Sequence, residues 1–162
     1  MMLLLVRHAH AGDRDPAQWP DDTERPLTDK GRKVHAKVSR ALRNLEIVPE
    51  LVLTSPLTRA AQTAEIMRQE LLLPQPPVPC PALAGEPDLA RIAAEVGPRG
   101  DRAVVALVGH SPWIEELAAL LLAGSARGVK IDFPKSGVLA VEADRLAPGS
   151  AALRFFLRPK ML

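Results

Sequence analysis

The sequence predicts a three-layer α/β fold, with a mostly parallel central sheet and helices on both faces. Three observations lead there. Short apolar runs at 2–6, 51–54 and 103–108 lack alternation and read as strands buried on both faces. The segments between them repeat apolar residues at helical spacing. Strand and helix signals alternate along the chain, the pattern of crossover units in a parallel sheet. At 162 residues the chain has the length of one domain, 1–162. It is too short for an eight-stranded α/β barrel, which needs about 200 residues or more.

Taken in order, Met2 to Val6 forms the first strand. Residues 9–27 hold Gly12, Pro16, Pro20 and Pro26 among acidic residues and read as a loop. Thr28 is placed to cap a helix whose inner face is Val34, Val38, Ala41, Leu42 and Leu45. Leu51 to Thr54 is the second strand. Ser55-Pro56 then predicts a helix start, with Ser as cap and Pro in the first helical position. Ala60, Ala64, Met67 and Leu71 are the inner face of that helix. Six prolines between 74 and 87 forbid a helix and predict an extended connector. Leu89, Ile92, Ala93 and Val96 make a short helix, and Ala103 to Val108 the third strand. Ser111-Pro112 repeats the cap-plus-proline signal before a helix with Ile114, Leu117, Ala118, Leu121 and Leu122 on its apolar face. Val138 to Val141 and Leu153 to Leu157 predict two last strands, antiparallel or at the sheet edge.

Composition narrows the function. Hydrophobic residues are 47%, charged residues 25%, and the net charge is +2, figures ordinary for a globular protein and no polyanion footprint. Aromatic residues are 3% with no Tyr, which argues against stacking on nucleic acid bases. The single Cys80 excludes an internal disulfide or a multi-cysteine metal site. The apolar start, five residues before Arg7, is too short for a secretory core of about 7–15 residues. No stretch reaches the ~20 residues of a membrane span. A cytoplasmic protein, by default a monomer, is expected.

In a sheet of this type ligands bind at the carboxyl ends of strands. The first strand ends in Arg7-His8, the second runs into Thr54-Ser55-Pro56 with Arg59 just beyond, and the third ends in Gly109-His110-Ser111. Two Arg and two His thus converge on one edge beside two helix starts, with no acidic residue at these tips. That set suits a phosphate, because guanidinium groups grip phosphoryl oxygens in pairs and never lose their charge. Neighbouring arginines keep imidazole neutral, and a neutral His can attack phosphorus. His8-Ala9-His10 resembles the metal-binding start of some barrel hydrolases, but the length excludes that barrel and leaves only His35 and His110 as further ligands. His10 is therefore expected at the pocket rim, His35 in solvent on a helix flank, and Cys80 without a catalytic role. Trp19 and Trp113 are candidates for packing or for the rim.

These residues resemble the histidine phosphatase superfamily, the group that contains the phosphoglycerate mutases. The likeness rests on Arg7-His8-Ala9, Pro26-Leu27-Thr28 with Gly31, Ser55-Pro56-Leu57-Thr58-Arg59-Ala60 with Gln62-Thr63-Ala64, and Gly109-His110. The short length, the Arg-His-Ala variant, His110-Ser111-Pro112 and Ser136-Gly137-Val138 are most similar to its SixA branch of phosphohistidine phosphatases. The resemblance implies a phosphoglycerate mutase-like fold without a large lid insertion, and a metal-independent phosphatase that needs no cofactor. It implies that His8 accepts the phosphoryl group, with Arg7, Arg59 and His110 forming the rest of the pocket and backbone N–H groups near Ser111 adding to it. Some members carry an acidic residue directly after the second His, where this chain has Ser111. Glu86, with Asp88 behind it, is the remaining candidate for the general acid. The implied substrate is phosphohistidine on a phosphorelay or phosphotransferase protein, with inorganic phosphate as product. A small-metabolite or broad-specificity phosphomonoesterase and a non-catalytic phosphoprotein-binding module are the alternatives.

Overall fold

A computed structural model describes all 162 residues. The strands are β1 (Met2–Arg7), β2 (Leu51–Thr54), β3 (Val78–Pro79), β4 (Val104–Gly109), β5 (Val138–Ala143) and β6 (Ala151–Leu157). The helices are α1 (Asp29–Asn44), α2 (Thr58–Glu70), α3 (Leu89–Val96) and α4 (Trp113–Ala123). One six-stranded sheet runs β3-β2-β4-β1-β5-β6. Strands β3, β2, β4 and β1 are parallel, β5 pairs antiparallel with β1, and β6 pairs antiparallel with β5 at the edge.

The alternation of side chains along β1 divides the core between the two faces. Leu3 and Leu5 pack with Ile92, Val96, Ile114, Leu117 and Leu121, so α3 and α4 cover one face. Leu4 and Val6 pack with Val38, Leu42, Ala60, Ala64 and Met67, so α1 and α2 cover the other. The three layers and the mostly parallel sheet are as the apolar runs predict.

Several local expectations need correction. Helix α2 begins at Thr58, with Leu57 at the cap and no side-chain cap bond, instead of at Pro56. The cause is the sheet: Ser55 N–H still donates to the Val108 carbonyl at 2.9 Å, holding the chain extended past the end of β2. Helix α4 likewise begins at Trp113, with Pro112 at the cap position, and the Ser111 hydroxyl donates to the Glu115 carboxylate instead of capping a backbone N–H. The proline-rich connector contributes β3, which pairs Val78 and Pro79 with Leu53 and Thr54 at the sheet edge, where a proline costs no ladder bond. On α1 the buried face is Gly31, His35, Val38, Ser39 and Leu42. Leu45, past the last helical turn, is exposed. His35 is fully buried on the inner face of α1, not in solvent.

Candidate active site

The cluster forms where β1 and β4 end side by side. Arg7 is in register with Gly109, and His8 N–H donates to the Gly109 carbonyl at 2.9 Å, so His8 and His110 leave the sheet together. His8, Arg59 and His110 are each less than a tenth exposed.

Neighbouring residues of the same motifs lock this arrangement. Thr63 Oγ1 accepts from Ala9 N–H at 3.0 Å and donates to the Arg59 carbonyl at 2.6 Å, fastening the residue after His8 to helix α2. Gln62 Oε1 accepts from Leu27 N–H at 2.9 Å and holds the end of the 9–27 loop. Thr28 caps α1 through Gly31 N–H at 3.0 Å. At Gly31 an added Cβ would stand 2.1 Å from the His10 carbonyl oxygen, so only glycine lets α1 pass this close to the loop.

The protonation state of His8 follows from one contact. Its Nδ1 lies 2.7 Å from the Ala9 carbonyl oxygen. A carbonyl can only accept, so Nδ1 carries the hydrogen and Nε2 keeps its lone pair. Burial, partly countered by the Ala9 bond and reinforced by Arg59, Arg7 and His110, pushes the His8 pKa down to about 3. His110 is also lowered, first by burial and then by Arg59, and its Nε2 is buried without a partner. Its ring meets Trp113 edge-on at 4.8 Å, which places that tryptophan at the site.

Each arginine is steered by other groups. Arg59 donates from one Nη to the Asp22 carbonyl at 2.8 Å, and its other Nη stands 3.4 Å from the Asp22 carboxylate. Asp22 also takes Arg25 Nε at 2.8 Å, and Arg25 ties back to the Ala11 and Gly12 carbonyls. Arg7 donates to the Phe133 carbonyl at 2.6 Å and lies 4.0 Å from Glu115. Nε of both Arg7 and Arg59 is buried with no partner. Unsatisfied buried donors at a shared edge are what an oxyanion would complete.

The structure brings together Arg7, His8, Arg59 and His110. It also brings in acids absent from the strand tips: Asp22 from a 3-10 turn in the 9–27 loop and Glu115 from the first turn of α4. Ser111 is adjacent, with its hydroxyl committed to Glu115. Glu86 is exposed on a hollow of about 260 Å³ shared with Glu116, Leu120, Ala126 and Arg127, and no hydrogen bond or ion pair joins it to the cluster. His10 sits on the loop, its Nδ1 2.9 Å from Thr28 Oγ1. Cys80 is a buried free thiol whose pKa burial raises. The largest cavity, about 660 Å³, lies at the opposite end of β2 around Val48, Leu51 and Leu72. Asp22, Arg25 and Glu115 escape a reading of strand tips. Only the Pro-Leu-Thr motif that follows Arg25 points to that part of the chain.

The sequence model of the histidine phosphatase superfamily (branch 1) matches residues 3–84. The chain belongs to that superfamily. An uncharacterized Picosynechococcus protein is 36% identical over 88% of this chain and 86% of its own length. The phosphohistidine phosphatase SixA of Escherichia coli is 28% identical over 93% of this chain and 90% of its own. Among solved structures, the protein histidine phosphatase SixA complexed with tungstate superposes with a TM-score of 0.82 at 25% identity, covering 99% of both chains. This histidine phosphatase is thus SixA-like in sequence and in fold, and the cluster stands on the strand edge where its motifs converge.

Proposed function

We propose that the protein removes the phosphoryl group from phosphohistidine on a partner protein through a phospho-His8 intermediate. The observation that carries this is the His8 tautomer: Nδ1–H is spent on the Ala9 carbonyl, which leaves Nε2 as a neutral nucleophile among cations.

In the first step Nε2 attacks phosphorus in line. The new N–P bond forms as the bond to the leaving imidazole nitrogen breaks, and that nitrogen keeps the electron pair and takes a proton from solvent. Arg7 and Arg59 hold the equatorial oxygens. The incoming dianion raises the His110 pKa against burial, so that its buried Nε2 gains a proton and donates to an oxygen. In the second step water attacks phospho-His8, giving inorganic phosphate and restoring the ring. Imidazole that takes up a proton as it departs is a good leaving group, which suits a site where Glu86 makes no hydrogen bond or ion pair with the cluster.

A protein-borne substrate is favoured by the short connector, which builds only β3, a 3-10 turn and α3 where a lid would stand. The SixA relative and the oxyanion held by a SixA of the same fold support it. We read residues 1–162 as one domain, since the sheet draws strands from both ends of the chain. No helix is long and apolar enough to cross a membrane. A free buried cysteine fits a reducing compartment, the cytoplasm.

The test is turnover of a phosphohistidine-bearing protein beside a panel of small phosphate esters, with acid-labile phosphoenzyme trapped in parallel. His8→Ala is expected to abolish both turnover and trapping. Efficient ester hydrolysis with phosphohistidine untouched would move the assignment to a small-metabolite phosphatase. Binding without any phosphoenzyme would reduce the protein to a phosphoprotein-binding module.

A further inference from the structure

Two open hollows lie end to end along α4. The first, about 340 Å³, is walled by Ser111, Glu115 and Glu116 on one side and by Arg127, Lys130 and Ile131 on the other. The second, about 260 Å³, shares Glu116, Ala126 and Arg127 with it and ends at Glu86 and Leu120. The shared walls make them one groove. Both walls run into the candidate site. Helix α4 starts just after His110, and Glu115 in its first turn lies 4.0 Å from Arg7. The chain turns at Gly124 and runs back along the helix, so that Ala126 shares a hollow with Leu120 and Ile131 shares one with Ser111. It then reaches Phe133, whose carbonyl accepts from the Arg7 guanidinium at 2.6 Å. The groove therefore has a near end at the phosphate cluster and a far end at Glu86.

The charges along the groove are unspent. The side chains of Glu86, Glu116, Arg127 and Lys130 form no hydrogen bond and no ion pair, and all but Glu116 are exposed. Glu115 differs, since it faces Arg7 and accepts from the Ser111 hydroxyl. At the near end Lys130 and Arg127 outweigh Glu116, whereas at the far end Glu86 and Glu116 outweigh Arg127. These free side chains make the groove positive beside the phosphate cluster and negative away from it. From Pro112 to Leu120 the helix rises about 12 Å, the reach of about four residues of extended chain. Charges arranged in this way select among partners by complementarity.

We propose that this groove docks the polypeptide flanking the phosphohistidine, as an extended segment with an acidic residue close to the phosphohistidine and a basic residue farther out. This rests on the phosphohistidine reading of the site and adds a sequence preference to it.

The probes are two chemically phosphorylated peptides of equal composition, each with one central phosphohistidine. One carries Asp two residues and Lys four residues from it on both sides, and the other exchanges the two. Wild type is expected to hydrolyse the first with a kcat/KM about fivefold higher at low salt, as two solvent-exposed ion pairs would give, and the gap is expected to close at high salt. Lys130→Glu is expected to remove the preference and Lys130→Arg to keep it. Phosphoramidate, too small to reach the groove, is expected to turn over equally in all three proteins. Equal kcat/KM on both peptides in wild type overturns the proposal, as does a preference that survives Lys130→Glu. A loss of phosphoramidate turnover in Lys130→Glu overturns it too, by placing Lys130 at the phosphoryl group itself. If wild type turns over neither phosphoramidate nor peptide, the phosphatase reading fails, and the groove is judged from fluorescence anisotropy of the labelled peptides. Tighter binding of the first peptide then sustains the groove, and equal affinities overturn it.

Discussion

Single residues here act through what they free as much as through what they touch. The Ala9 carbonyl frees Nε2 of His8, and Asp22 fixes the fork of Arg59 while serving Arg25. Asp22→Ala is expected to raise KM and lower kcat each on the order of tenfold, because Arg59 keeps only the backbone carbonyl as a guide. Asp22→Asn, which retains an oxygen for Arg25, recovers part of the loss, and steady-state kinetics on the three proteins measure it. His35 is a residue-scale liability of another kind. Both its ring nitrogens are buried without partners, as is Ser39 Oγ one turn along, and burial lowers the His35 pKa to about 4. Between that value and the ordinary 6.5 the unfolded chain binds a proton that the folded chain refuses. Stability therefore drops as pH falls through this window, by roughly 3 kcal/mol in all, and levels off below it. Urea unfolding at pH 7 and pH 4.5 is expected to show a smaller difference for His35→Leu than for wild type.

Among elements, α1 depends on a contact that helix propensity would misjudge. Alanine usually improves a helix interior by about 1 kcal/mol over glycine. At Gly31 its methyl would strike the His10 backbone, so Gly31→Ala is expected to cost about 2 kcal/mol or more and to lower the midpoint of thermal unfolding. It would disturb catalysis as well, since His10 lies two residues from His8. Elements were legible in the sequence where their own periodicity decided them: β1, β2, α3 and both closing strands stand where the apolar spacing puts them. The helix starts at Ser55 and Ser111 were misplaced because a neighbouring strand and the Glu115 side chain claim those residues first. The two-residue β3 has no pattern of its own and exists because β2 offers it an edge. In the candidate site, Arg7, His8 and His110 at strand ends could be read directly, and Arg59 in the first turn of α2 through the motif that carries it. Asp22 and Glu115 could not, since each arrives through a loop or a helix turn whose direction only the folded chain fixes.

At the scale of the molecule, α1 and α2 back one face of the sheet and α3 and α4 the other, so no helix pair alone carries the site. Arg7 and His8, Arg59, His110 and the Phe133 carbonyl that holds Arg7 come from four distant stretches, and their alignment requires the complete sheet. The position of β1 has a consequence for how the protein is made. Its partners are β4 and β5, so Met2 to Val6 leave the ribosome about a hundred residues before anything can pair with them. Contacts of such long range slow folding. Meanwhile an apolar strand with two open edges is exposed to other nascent chains, with Arg7 as its one gatekeeping charge. Arg7→Leu is therefore expected to shift expressed protein into inclusion bodies, read from the soluble fraction, before its effect on phosphate chemistry can be assayed.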